Sequence, residues 1–565
     1  MTALLQVDAD VLSSIVKSLA KREIMSLSST CVPLRNALRP SAFASLMWKR
    51  GDPPPQSVWN FVRHLYVETD TEDLTTYDFF QDLSGLVSIH IRGEYISDNL
   101  MHILSTATRL QLLDMACFPW KMPGSYIQYD LLPGFPPLSC QPRFIKFCSR
   151  LEMIYYDNAQ LSCASRMRAL RYALATLIED IGIDHIEALE VCVEALSLPF
   201  AVPYTWTSLR KLVLTGYWVH TSDDRDAYED PLLGTPASIS DSLHLGTLLL
   251  AAPRLQVLHI RWRVPYWLPN TKCIVWPVDE QPPLSGTAIP RLEILELCNP
   301  TATDGILAQL PPSLRSLALL THPHATQKTS VANEYELWEV NPQYPHANAT
   351  LTPVELMGVL STSPLPALRE LRLSFRGLKD MRLFEYIAAS FQQLEVLEFH
   401  AETGPECIWT AKELADCAHF LAPLVHLRVL RMNTFRNIYP DDEWELAMQD
   451  DTDRDSFLRS PGLLPRMTAS QILFGAHHAA DQMLRDGQSE DEAGDTGGAE
   501  GDVRARFPSL REVWLPISTA VDPTTRYTWV SRIWQVYHVD RGRDGRGDLR
   551  LDSGPEILML DEQTY

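Results

Sequence analysis

Along most of this chain, apolar and polar positions follow one short pattern. Three apolar residues occur at the spacing LxxLxL, usually after a polar or Pro-containing turn. Clear copies are LRKLVL at Leu209, LQVLHI at Leu255, LEILEL at Leu292, LRSLAL at Leu314, LRELRL at Leu368, LEVLEF at Leu394 and LRVLRM at Leu427. Looser copies are LVSIHI at Leu86, LQLLDM at Leu110, LEMIYY at Leu151 and LREVWL at Leu510, with FVRHLYV (61–67) and HIEALEV (185–191) in the same set. The last two apolar positions of each copy are two residues apart, so they share one face of a β-strand, and the residue between them points to the other face. Helical patterns lie between the copies: 95–109, 165–180, 352–361, 381–391 and 410–424, the last with Thr410 and Glu413 spaced as a capping box.

Strand followed by helix, repeated, implies right-handed crossovers and a parallel sheet. Coiled into a solenoid, this is an α/β leucine-rich-repeat array, with the strands on the concave side and the helices outside. The period is irregular. Ile89 to Leu113 is 24 residues and Leu295 to Leu317 is 22, but Leu212 to Leu258 is 46 and Leu430 to Val513 is 83. The short steps fit a unit of about 20–29 residues, and the long ones call for insertions or degenerate units. The asparagine usual after such a strand is mostly missing, with Asn299 and Asn433 the nearest candidates.

In this register, Tyr66, His90, Asp114, Tyr155, Glu190, Val213, His259, Glu296, Ala318, Arg372, Glu398, Arg431 and Trp514 face the concave side. The set is polar and aromatic, which suits protein recognition, where Tyr, Trp and Arg act as anchors. The substrate-binding candidates are Tyr66, His90, Tyr155, His259, Glu296, Arg372, Glu398, Arg431 and Trp514, with Arg372, Glu398 and Arg431 expected to form one mixed-charge patch.

Before the repeats, the first 50 residues read as three short helices. Val11, Ile15 and Leu19 form a stripe, Ile24 and Leu27 lie in a second helix, and Leu34 and Leu38 lie in a third that Pro40 ends. The stretch 7–48 resembles an F-box, through D-V-L-x-x-I at 10–15, Leu19, I-x-x-L-S at 24–28, T-C-x-x-L-R at 30–35, Pro40 and Phe43. Val7-Asp8 stands where that family usually has Leu-Pro. Together with the repeats, the chain is similar to the divergent F-box proteins of fungi. The resemblance implies a substrate adaptor of a cullin-type (SCF) ubiquitin ligase. The F-box would dock a Skp-type adaptor, and through it a cullin scaffold, by Val7, Val11, Leu12, Ile15, Leu19, Ile24, Leu27 and Leu34, while the repeats present a protein substrate. The alternative is a repeat scaffold without a ubiquitin-ligase role, its first helices merely capping the array.

Organisation follows as a helical module at 1–50, a divergent repeat solenoid at 55–520 and a C-terminal cap at 521–565. Within the cap, RIWQVYHVD (532–540), a Gly-rich turn and DLRLD read as a hairpin. The acidic stretch 486–502 lacks bulky apolar residues and reads as disordered.

Composition narrows function further. The chain has 565 residues, 45% of them hydrophobic, and a net charge of −22, which argues against sequence-independent nucleic-acid binding. Residues 1–50 run against this balance, with seven Lys and Arg against Asp8, Asp10 and Glu23, which suits an acidic partner. The ten cysteines form no CxxC pair and read as reduced thiols of a cytoplasmic or nuclear protein. Neither an export signal nor a membrane span is expected. No GxSxG, GxxxxGK[ST], HExxH or GxGxxG occurs, so a non-catalytic protein without cofactor is expected. His400, Cys407, Cys417 and His419 fit no standard zinc spacing, and no metal site is expected.

Overall fold

A computed structural model describes residues 14–16, 18–49, 55–68, 83, 85–95, 107–118, 141–148, 171, 174–196, 201, 204–217, 245–263, 274–276, 289–321, 351–375, 380–401, 411–433, 509–521, 529–541 and 547–551. Val7, Val11, Leu12, Tyr155, Thr410, Cys407 and the acidic stretch 486–502 lie outside them. The chain forms two compact units, Met1–Leu255 and Gln256–Tyr565.

The first unit opens with helices Lys21–Ser28 and Val32–Ala42, preceded by helical residues at 14–16 and 18. The Ala20 N–H donates to the Glu23 carboxylate at 2.7 Å, closing the first turn. Val16, Ile24, Leu34, Leu38 and Ala42 form a small core, with Leu19, Leu27, Cys31 and Phe43 packed against it. Pro40 does not end its helix, contrary to expectation. Leu38 and Ala42 bury one face on either side of it, and that packing carries the helix past the missing N–H.

Seven parallel strands follow in chain order, each paired with its sequence neighbours: β1 Ser45–Lys49, β2 His64–Glu68, β3 Ser88–Tyr95, β4 Leu112–Phe118, β5 Phe144–Cys148, β6 Ala188–Cys192 and β7 Lys211–Tyr217. The sheet therefore begins at Ser45, inside the stretch 1–50 assigned to the helical module but beyond its expected third helix. SLMWK alternates sides, with Trp48 buried and Met47 exposed, and this period of two is what a strand requires.

The second unit repeats the arrangement with β8 Val257–Arg263, β9 Ile294–Cys298, β10 Ser316–Leu320, β11 Glu370–Phe375, β12 Val396–Ala401, β13 Val429–Asn433 and β14 Glu512–Val521. Helices Pro353–Ser361, Met381–Ser390 and Ala411–Leu421 connect some of these strands. Thr352 and Glu355 form a reciprocal capping box on the first of them. The array ends as an antiparallel meander, β14 with β15 Trp529–Arg541 and β15 with β16 Gly547–Leu551, so the expected hairpin is extended by one strand.

The middle apolar residues form the core of each unit. Leu65, Ile89, Leu113, Ile145, Leu189 and Leu212 are buried in the first, and Leu258, Leu295, Leu317, Leu371, Leu397, Leu430 and Val513 in the second. Full burial of such a side chain contributes roughly 1.5–3 kcal/mol. The first leucine of each copy closes a recurring turn: the N–H of Leu314 donates to Pro311, that of Leu368 to Leu365, Leu394 to Phe391 and Leu427 to Leu424. These turns deliver each strand at the same height. The 83-residue step from Leu430 to Val513 places no strand between its two ends in the sheet, because β13 pairs directly with β14. The same holds for the 26- and 33-residue steps between β11, β12 and β13, where no further strand comes between the paired ones. Asn299 takes φ 54°, and its side-chain amide donates to the Trp262 carbonyl at 3.0 Å, tying β9 to the end of β8.

Candidate functional site

The residue between the last two core positions of each strand falls into one column, on the face turned away from the leucine core. In the first unit the register runs Met47, Tyr66, His90, Asp114, Lys146, Glu190, Val213. In the second it runs His259, Glu296, Ala318, Arg372, Glu398, Arg431, Trp514. One assignment changes. The place expected for Tyr155 is held by Lys146, because FIKFC at 144–148 is the strand lying between β4 and β6. Both segments carry alternating apolar residues, so the period alone did not separate them.

The two columns differ in character. In the first unit the Tyr66 and His90 rings stack at 4.4 Å and 8°, with Tyr66 39% exposed and Met47 57% exposed beside it. Phe144, on the same face two residues before Lys146, is also exposed. Beyond the stack, Asp114 accepts from His90 Nδ1 at 2.9 Å and from both terminal nitrogens of Arg92 at 2.9 Å. Burial pushes the Asp114 carboxyl up, but the hydrogen bonds of His90 and Arg92 and the charges of Arg92 and Lys146 outweigh it and hold the group below its ordinary range. Lys146 and Glu190 pair at 2.6 Å. Charge here is internally matched, and what remains exposed is apolar and aromatic.

In the second unit the charged groups are enclosed. Glu398 is 3% exposed and accepts from Arg372 Nε at 3.1 Å, Arg431 Nη1 at 3.2 Å and His400 Nε2 at 2.8 Å. Glu296 accepts from Arg261 at 2.7 and 3.1 Å, and His259 lies 3.9 Å from it. Burial raises the Glu296 carboxyl, and the bonds and charge of Arg261 more than offset this, so it too sits below its ordinary range. Between these clusters, Cys298, Ala318 and Leu320 are buried on the same face. The mixed-charge patch expected to greet a substrate is thus largely a buried ion network, with Arg372 and Arg431 showing only their edges.

The helical module sorts the adaptor candidates. Ile24 and Leu34 are core, Leu19 and Leu27 pack partly against it, and Ile15 is exposed. Met25 and Val32, absent from the sequence-based set, are also exposed apolar residues. Their helical spacing carried the signal, since each lies off the buried positions of its own helix, Ile24 in the first and Leu34 and Leu38 in the second.

Among the described residues no group of His, Cys, Asp and Glu is arranged to hold a metal ion. Cys417 is buried in its helix, which pushes its thiol far up. Among the described residues no helix is long and apolar enough to cross a membrane.

No family model matches the chain, and no curated protein matches it. Among solved structures, a leucine-rich-repeat protein of Leptospira interrogans aligns with 72% of this chain and 92% of its own, at 11% identity and a TM-score of 0.24. A likeness that faint carries no weight, and the repeat assignment rests on the strand order and register described above.

Proposed function

We propose that this chain is a non-catalytic, protein-binding adaptor whose capture surface is the face of β1–β5 turned away from the leucine core. The observation that carries this reading is the exposed Tyr66–His90 stack beside Met47, next to a matched charge network, with Phe144 exposed on the same face of β5. Rigid aromatic area of this kind supplies binding anchors at low entropic cost, and neighbouring ion pairs confer selectivity more than affinity. Held as they are against Asp114 and Glu190, Arg92, His90 and Lys146 are fixed in place to orient a partner.

The finer reading is a cullin-type ubiquitin-ligase adaptor that acts in the cytoplasm or nucleus. Its support is the F-box resemblance of 7–48, the small helical core and the exposed Ile15, Met25 and Val32. The test is co-purification of a Skp-type adaptor with the tagged full chain and with the Ile15→Ala, Met25→Ala, Val32→Ala variant. Capture by the parent and loss in the variant supports the ligase role. Failure of the parent to capture the adaptor leaves a repeat scaffold without ubiquitin chemistry.

A further inference from the structure

A second row of side chains runs across the second unit, one residue ahead of each strand. The N–H groups of Arg315 and Ser316 both donate to the Glu293 carbonyl, and those of Arg369 and Glu370 to Arg315. Glu395 and Val396 donate to Arg369, Arg428 and Val429 to Glu395, and Arg511 and Glu512 to Arg428. This shared-carbonyl chain fixes the order Glu293, Arg315, Arg369, Glu395, Arg428, Arg511 on successive strands β9 to β14. Four guanidiniums therefore stand against two carboxylates. They are solvent-facing: the side chains of Arg315 and Arg369 are 65% exposed and that of Arg428 53%. Arg369 and Arg428 share Glu395 at 2.8 and 3.2 Å, Arg315 is a loose 3.7 Å from Glu293, and Arg511 is exposed with no ion pair among the described residues.

Like charges on adjacent strands repel, about 5 Å apart per strand step, unless an anion joins them. Here two arginine neighbours, Arg315–Arg369 and Arg428–Arg511, flank Glu395. The equivalent row of the first unit, Arg63, Val87, Gln111, Arg143, Glu187, Arg210, has no adjacent arginines. On a chain of net charge −22, a local basic row is a directional feature.

We infer that this row docks an extended acidic peptide segment of a partner protein. The centres of the two arginine pairs are three strand steps apart, about 14 Å, which matches carboxylates four positions apart on an extended chain at about 3.4 Å per residue. Each pair offers a fork that chelates one carboxylate, and Glu395 between them repels an acid at any other phase. The site is separate from the aromatic face of the first unit but rests on the same reading of the chain as a protein-binding scaffold.

The experiment titrates the full chain with a fluorescein-labelled Gly/Ser peptide carrying two glutamates four positions apart, a lysine counterpart, a peptide with the glutamates two positions apart, and a single-stranded oligonucleotide of equal charge. The expected result is saturable binding of the first peptide that weakens as salt rises and the Debye length falls below about 10 Å. The Arg315→Glu, Arg511→Glu variant should lose affinity by about tenfold, because two exposed pairings turn into repulsions, with an unchanged melting temperature. Tyr66→Ala should leave this affinity unchanged, so a failure of the capture face and a failure of this row are told apart. Absence of binding, equal binding of the lysine or two-position peptide, tighter binding of the oligonucleotide, or full affinity in the double variant would overturn the proposal.

Discussion

The Arg372 guanidinium and the Glu398 carboxylate meet at 3.1 Å on adjacent strands, with the carboxylate almost wholly enclosed and also reached by Arg431 and His400. Such a group is held by its partners, and removing one of them leaves the buried charge only partly compensated. The sequence suggested a free patch whose arginines could be reversed without harm to folding. The geometry reverses that expectation. Arg372→Glu should lower stability by about 3–5 kcal/mol in urea denaturation. Joint replacement of Arg372, Glu398 and Arg431 by apolar residues of similar size should cost far less, since no lone charge remains. Equal losses in the two variants would show that the network is not a coupled unit.

The aromatic stack offers a separation of binding from folding. Tyr66→Ala removes an exposed ring while leaving Leu65 and Val67 in the core. Partner capture should fall by 2 kcal/mol or more, roughly thirtyfold, if the ring is a central anchor, with the melting temperature within a degree or two. Leu65→Ala should do the opposite and cost about 2–5 kcal/mol of stability.

Acid should weaken both units through Asp114 and Glu296. Each carboxyl is held below its ordinary value, so the folded state binds a proton less readily than the unfolded chain. Their contribution is complete above the unfolded value, near pH 4, and is lost as pH falls through the lower folded value. Denaturant titrations at pH 7 and pH 3 should show Asp114→Asn and Glu296→Gln less stable than the parent at pH 7, with the gap narrowing at pH 3. A gap independent of pH would mean that packing, not charge, carries the effect.

Asp304 is a fourth enclosed carboxylate, with a different task. It accepts from the backbone N–H groups of Val275, Trp276 and Ile306 at 2.7, 2.9 and 3.1 Å, so it pins 274–276 to the turn that opens at Gly305. Asp304→Ala leaves three buried donors without an acceptor, at about 1–3 kcal/mol each in the limit of no rearrangement. Urea denaturation should show a loss above 2 kcal/mol, and faster amide exchange at Val275 and Trp276 should accompany it. Unchanged exchange there would reject the pinning role.

Much of the sheet was legible because its signal is local. A period of two places Leu65, Ile89 and Leu113 inward and Tyr66, His90 and Asp114 outward whatever the loops do, and the structure keeps that alternation. Where two nearby segments carried the same period, as at 144–148 and 151–156, composition had no means of choosing. The first leucine of each copy closes the turns at Leu314, Leu368 and Leu427, but which arginines stand side by side depends on which strands become neighbours.

Residue type and spacing alone assign which side of each strand is core, since burial of the leucine face is the dominant favourable term. Which outward residues stay available depends instead on the strands that come to lie beside them. Glu398 and Tyr66 occupy the same place in their repeats, yet one is enclosed by Arg372, Arg431 and His400 and the other is open beside Met47. Across-strand neighbours 26 to 33 residues away supply that enclosure. The direct pairing of β13 with β14 across 83 residues was decided the same way, because the Arg428 carbonyl accepts from Arg511 and Glu512 however much chain intervenes. Hydrogen-bond geometry between strands is blind to loop length, while a sequence pattern is not.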